Sequence, residues 1–114
     1  MVRRSVLFSP GDTPALMRKA ALGNADVVVF DLEDAVAPAD KPHARDAVRE
    51  VLADLDADCE VAVRVNPIGQ GAMTDLEAIL EGAHPDSVMV PKTADETDVQ
   101  RVQARLAEVG GKPS

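Results

Sequence analysis

Short apolar runs alternate with amphipathic segments along the 114 residues of the chain. The runs predict four β-strands, at residues 5–9, 26–33, 60–66 and 87–90. The segments that follow carry apolar residues at steps of three and four, the spacing of one helix face. They predict helices at residues 14–22, 41–55, 74–82 and 96–109. Strands that alternate with helices indicate a parallel sheet with right-handed crossovers.

The two faces of the second and third strands differ in polarity. One face is wholly apolar in both strands, with Val28, Phe30, Leu32, Val61, Val63 and Val65. The other face becomes polar towards the carboxyl end, with Asp31, Glu33, Arg64 and Asn66. An open, doubly wound sheet covers both faces with helices and tolerates a mid-strand arginine poorly. The pattern therefore favours an α/β chain whose parallel βα units, over residues 1–114, form the N-terminal half of a TIM (β/α)₈ barrel.

Composition excludes some classes of partner. The formal net charge of −8 repels phosphate backbones and anionic membranes, and the chain has no Trp, no Tyr and only two Phe for base stacking. We expect neither nucleic-acid nor membrane binding. The excess acid fits either ordinary solubility or adaptation to high salt. A single cysteine, Cys59, and the absence of a long apolar segment predict a cytoplasmic protein.

Three carboxylates lie close together where the second strand ends. Asp31, Glu33 and Asp34 repel one another unless a cation, water or arginine relieves them. Hard divalent ions such as Mg²⁺ prefer oxygen ligands of this kind. A polar boundary between strand and loop, with an N-capping aspartate, explains the same residues equally well.

Arg64 stands inside the third apolar run. A guanidinium in that position needs a partner. It can pair with Asp31 or Glu33 on the neighbouring strand, or hold a substrate carboxylate in bidentate fashion. The two roles are compatible, because an arginine paired with carboxylates can turn to an anionic ligand.

Two further features follow the first and fourth strands. Ser9, Pro10 and Gly11 form a rigid turn at the same end of the sheet. Lys92, after Pro91, is either an ordinary solvated lysine or a group that binds an anion or forms a Schiff base.

Four segments in order resemble one family. They are LFSPG at 7–11, DLEDAV at 31–36, RVN at 64–66 and VPK at 90–92. Together they resemble the citrate lyase β-subunit-like branch of the HpcH/HpaI aldolase superfamily. The resemblance covers nearly the whole chain.

The resemblance implies a barrel enzyme, commonly a trimer or hexamer, that cleaves or forms a carbon–carbon bond with Mg²⁺. Its substrates are acyl-CoA thioesters such as malyl-, citramalyl- or citryl-CoA, or the keto acids they yield. Arg64 then matches the arginine that grips the keto acid, and Glu33 and Asp34 match acidic residues that hold the metal's waters. The turn and the helix that follows match the region near CoA, at Ser9, Pro10, Gly11 and Lys19. Supporting positions in the site are Asp31, Asn66 and Lys92.

The same resemblance places the direct metal ligands, a Glu after strand five and an Asp after strand six, outside these residues. We therefore expect a truncated lyase that is inactive alone. Two alternatives remain open. One is a non-catalytic half barrel that self-associates or pairs with a separately encoded C-terminal half. The other is a small open-sheet binding domain in which Arg64 is purely structural.

Overall fold

The structure, a computed structural model, describes residues 5–67 and 69–91 and contains one parallel sheet of four strands in the order β1-β2-β3-β4. The strands are β1 (Val6–Pro10), β2 (Val27–Asp31), β3 (Glu60–Arg64) and β4 (Ser87–Met89). The helices are α1 (Pro14–Ala21), α2 (Lys41–Asp54) and α3 (Ala72–Ile79), with a 3₁₀ turn at Pro38–Asp40 before α2. The predicted parallel alternation of strands and helices is confirmed. The fourth predicted helix, at 96–109, lies outside the described residues.

Element boundaries agree with the predicted ones to within one residue for β1, α1, α2 and β4. Strand β2 was predicted to continue to residue 33 but ends at Asp31, whose carboxylate accepts the backbone N–H groups of Glu33 and Ala35 and turns the chain. The predicted limits of α3, 74 and 82, are wrong. The helix begins at Ala72 because Gly71, with a φ of 126°, serves as its N-cap, and it ends at Ile79.

The main core lies between the sheet and its helices. The predicted apolar face of β2 and β3 is buried there, with Val28, Phe30, Leu32, Val61, Val63 and Val65. Met17 of α1, Val48 of α2 and Leu76 of α3 cover it. Each fully buried side chain of this size contributes about 1.5–3 kcal/mol. The opposite face of the sheet, which the helices do not cover, carries a small apolar cluster of Val27, Val29 and Ala62. We call it the interior face, because it corresponds to the inside of a barrel.

Parallel register brings the polar residues of that interior face level with one another. Asp31 pairs with Pro10 on one side and with Arg64 on the other, and Arg64 pairs with Met89. Because the carboxyl ends of parallel strands meet at one edge, this row marks the mouth of the sheet. None of the helices in the described ranges is long and apolar enough to cross a membrane.

Candidate active site

Arg64 and Asp31 form a bidentate ion pair at the mouth. Nε of Arg64 donates to Oδ1 of Asp31 over 2.8 Å, and Nη2 donates to Oδ2 over 2.6 Å. Two further carboxylates surround the guanidinium, Glu33 at 3.5 Å and Asp34 at 3.8 Å. The predicted pairing of Arg64 with Asp31 and Glu33 is therefore present. Its role in substrate binding stays a prediction.

The guanidinium keeps one edge available. Its carbon lies 5.0 Å from the centre of the Phe8 ring, on the same face of the sheet. The hydrogen bonds to Asp31 engage Nε and Nη2, and Nη1 donates none within residues 5–67 and 69–91. The side chain is 22% exposed. An anion that enters the mouth can therefore meet Nη1 while Asp31 holds the other edge.

The electrostatics of Asp31 favour its ionised form. Burial pushes the pKa of Asp31 upward, but the hydrogen bonds from the Arg64 side chain and from the backbone of Glu33 and Ala35 outweigh burial. The net pKa lies below the ordinary value of 3.8. The same pair raises the pKa of the Arg64 guanidinium. The pair is thus fully charged at neutral pH.

The surroundings of Glu33 favour its protonated form. Burial and the neighbouring charge of Asp34 raise the pKa of Glu33 above 4.5, although Arg64 partly offsets them. A divalent cation beside these two carboxylates would relieve their repulsion, and carboxylate oxygens suit Mg²⁺. Asp34 is well placed for a solvent-mediated contact, since its side chain is 80% exposed. In the described ranges no group of three or more His, Cys, Asp or Glu side chains is arranged to hold a metal ion.

The turn after β1 and helix α1 enclose an apolar groove of about 350 Å³. Ser9, Pro10 and Lys19, three of the predicted substrate-binding residues, all line it. Ser9 is buried and its hydroxyl has no hydrogen-bond partner among the described residues, whereas Lys19 is exposed. The structure therefore brings these three together, in the groove between β1 and α1.

Gly11, the fourth residue of that prediction, lies apart from the groove. Its N–H donates to the carbonyl of Asp31 over 2.9 Å. An added Cβ would stand 2.7 Å from that oxygen and 2.9 Å from Cγ2 of Val48. Gly11 thus permits the β1 turn to lie directly on the end of β2.

We expect Gly11→Ala to lower the free energy of unfolding by about 1–3 kcal/mol, because the methyl group meets backbone and a buried valine. Urea denaturation measures the loss. Gly23→Ala is the matched control, since its nearest contacts, at 3.5 and 3.8 Å, are ordinary. Equal stability of the two variants would contradict the packing role of Gly11.

A buried network behind the mouth was missed by the sequence interpretation. Asp75 is fully buried, and its Oδ1 accepts from Nε of Arg45 over 2.7 Å. Its Oδ2 accepts from both the backbone N–H and Nδ2 of Asn66, each over 2.8 Å. Asn66 Nδ2 also donates to the carbonyl of Leu32 over 2.9 Å. A signal was available, because Asp75 lies four residues before Ile79, on the apolar face of α3.

Lys41 is a second residue that was not predicted. Its Nζ donates to the carbonyls of Leu32 and Glu33 over 2.8 and 2.9 Å. It therefore fixes the segment that carries the acidic residues. Asn66, predicted as a supporting residue, contacts the same segment. Lys92 lies outside the described residues.

The chain matches the family model of HpcH/HpaI aldolase/citrate lyase over residues 4–112. It is 39% identical to the (3S)-malyl-CoA thioesterase of Cereibacter sphaeroides over 93% of its own length and 38% of that protein. It is 38% identical to the citrate lyase subunit beta of Escherichia coli, over 94% of its own length and 36% of that protein.

Among solved structures, the protein CitE of Mycobacterium tuberculosis in complex with magnesium, acetoacetate and coenzyme A is similar in fold. The TM-score is 0.72 and the identity 41%, over 87% of this chain and 36% of the other. The chain thus spans less than two fifths of the length of each of these three proteins. The family match and the shared fold together show that this chain belongs to the HpcH/HpaI aldolase/citrate lyase family, a family of carbon–carbon lyases.

Proposed function

We propose that this chain is the keto-acid-binding N-terminal half of a Mg²⁺-dependent carbon–carbon lyase that acts on a CoA thioester such as malyl-, citramalyl- or citryl-CoA. The observation that carries the proposal is the Arg64 guanidinium at the mouth of the sheet. Asp31 holds it through Nε and Nη2, and Nη1 donates no hydrogen bond to the part of the chain that the structure describes. The similar protein CitE of Mycobacterium tuberculosis binds magnesium, acetoacetate and coenzyme A. These ligands comprise a metal, a keto acid and a CoA group, which are the components that the proposed reaction needs.

Arg64 has the chemistry to bind the carboxylate of a keto acid. Charge-assisted hydrogen bonds from a guanidinium to a carboxylate are shorter and stronger than neutral ones. Asp31 fixes the plane of the guanidinium through two of its nitrogens, so less side-chain freedom is lost when an anion binds. The site therefore suits a substrate that carries a carboxylate.

Mg²⁺ would supply a Lewis acid that stabilises negative charge on the keto-acid oxygen. In the described ranges the residues that suit it are Glu33 and Asp34, which we propose contact it through water. The direct ligands, a Glu after strand five and an Asp after strand six, belong to a part of the barrel outside these residues. This proposal assigns the present chain to anion binding and outer-sphere support.

The groove beside β1 is the proposed seat of the CoA arm. Ser9 and Pro10, at the end of β1, line it, and Lys19 suits a phosphate. We further propose a cytoplasmic homo-oligomer, a trimer or hexamer. In such an assembly the complete barrel, and not this half alone, is the catalytic unit.

A second candidate is a non-catalytic half barrel that self-associates or pairs with a C-terminal half. The observation in its favour is the exposed apolar surface of β1, where Val6, Leu7 and Phe8 are 50%, 46% and 46% exposed. Apolar residues along a strand invite further pairing. Light scattering that shows a well-folded monomer would count against this candidate.

The experiment is a cleavage assay of the 114-residue chain with malyl-, citramalyl- and citryl-CoA in the presence of Mg²⁺. Carbon–carbon cleavage of malyl-CoA releases glyoxylate and acetyl-CoA, whereas thioester hydrolysis releases malate and free CoA, so the products distinguish the two reactions. We expect no turnover by the chain alone. The matched positive sample is this chain fused to the C-terminal part of the E. coli relative, for which we expect Mg²⁺-dependent cleavage of citryl-CoA. Turnover by the chain alone would contradict the placement of the metal ligands.

A further inference from the structure

The buried carboxylate of Asp75 uses both of its oxygens. Arg45 donates to Oδ1, and Asn66 donates to Oδ2 from its backbone and from its side chain. Asp75 has no exposed surface, and the side chain of Arg45 is only 18% exposed. A buried charge without partners is strongly destabilising, so this network must stay intact to be tolerated.

Asn66 connects this network to the mouth. Its Nδ2 donates both to Asp75 and to the carbonyl of Leu32, the residue between Asp31 and Glu33. Lys41 donates to the same carbonyl from α2. Asn66 also lies two residues beyond Arg64, the last residue of β3, and the Leu32 N–H donates to the Arg64 carbonyl over 2.9 Å. The Asn66 side chain thus joins the ends of β2 and β3, and Asp75 fixes the orientation of that side chain.

We propose that Asp75 is a positioning residue: with Arg45 and Asn66 it fixes the Leu32 carbonyl, and so holds the Asp31–Glu33 segment against Arg64. The packing of α3 does not require a carboxylate at this place, because Ala72, Leu76 and Ile79 supply its apolar contacts with the core. A hydrophobic residue of similar size would fill the same space, but it would leave the Arg45 guanidinium and the Asn66 N–H without their acceptor. The importance of this network for catalysis rests on the function proposed for Arg64. Its effect on the position of the Asp31–Glu33 segment does not depend on that function.

Asp75→Asn tests whether Asp75 holds the Asp31–Glu33 segment against Arg64. The amide retains the size of the carboxylate but presents an NH₂ group to donors, so at least one of its three hydrogen bonds must be lost. The Arg45 guanidinium also loses the negative charge of its partner. The readout is hydrogen exchange at the Arg64 Nε–H, followed by NMR of the full 114-residue chain with labelled arginine. We expect exchange to be roughly tenfold faster, a local loss of about 1.4 kcal/mol. Ile79→Ala is the matched control, since it also removes contacts of α3 but touches none of the network.

Asn66→Ala is the second variant, in case Asp75→Asn does not fold. It leaves the Arg45–Asp75 pair and the backbone N–H bond in place. It removes only the two bonds of Nδ2, to the carbonyl of Leu32 and to Asp75. We expect the same faster exchange at Arg64. Unchanged exchange at Arg64 in the folded variants, or an equal change in Ile79→Ala, would overturn the proposal. No ligand enters this measurement, so its failure is distinguishable from failure of the proposed lyase function.

Discussion

Arg64→Met is expected to lower the free energy of unfolding by about 3 kcal/mol at pH 7, measured by urea denaturation. The substitution leaves Asp31, which is 2% exposed, without the guanidinium that balances its charge. Removal of one partner of a buried pair costs about 3–5 kcal/mol. The lower end applies here because the backbone N–H groups of Glu33 and Ala35 still donate to the carboxylate.

Arg18→Met is the matched control. Arg18 pairs with Asp54 over 3.0 Å, but the two side chains are 41% and 74% exposed. Exposed pairs of this kind contribute about 0–1 kcal/mol. If the loss in Arg64→Met is as small as that in Arg18→Met, the Arg64 pair behaves as an ordinary surface contact. No loss in Arg64→Met would also remove the alternative in which Arg64 is purely structural.

The stability difference between wild type and Arg64→Met should narrow in acid. In the wild type the pKa of Asp31 is depressed, so its contribution is fully present above 3.8 and is lost as pH falls through the lower folded value. In Arg64→Met, burial is no longer outweighed by the guanidinium, so the carboxyl accepts a proton at higher pH and the charge penalty disappears. Urea titrations repeated between neutral pH and pH 3 follow this convergence.

Hydrophobic periodicity was sufficient to predict the parallel sheet and most element limits. Alternation in β2 and β3 also placed Asp31 and Arg64 on one face near the strand ends. Adjacent strands that start at matching apolar runs bring such residues level, so the ion pair could be anticipated from sequence. Its two-point geometry and the available Nη1 could not, because they depend on side-chain rotamers.

The network around Asp75 shows where periodicity fails. The charge on an apolar helix face was visible, but its partners come from α2 and from the end of β3, which are distant in sequence. Only the packing of three elements defines that contact. The predicted start of α3 was wrong for a related reason, since Gly71 caps the helix through a positive φ that has no signature in the apolar pattern.

Arg64 is proposed to bind the carboxylate of a keto acid. The most direct measurement is an NMR titration of the arginine-labelled chain with acetoacetate, the keto acid bound in the tuberculosis protein, with acetone as the control that lacks the carboxylate. Acetoacetate is predicted to shift the Arg64 signals saturably while Arg18 stays unchanged. Arg64→Lys, followed through the backbone amide signals of the Asp31–Glu33 segment, is predicted to bind at least tenfold more weakly, about 1.4 kcal/mol. Equal binding by Arg64→Lys, or no shift at Arg64, would contradict the claim.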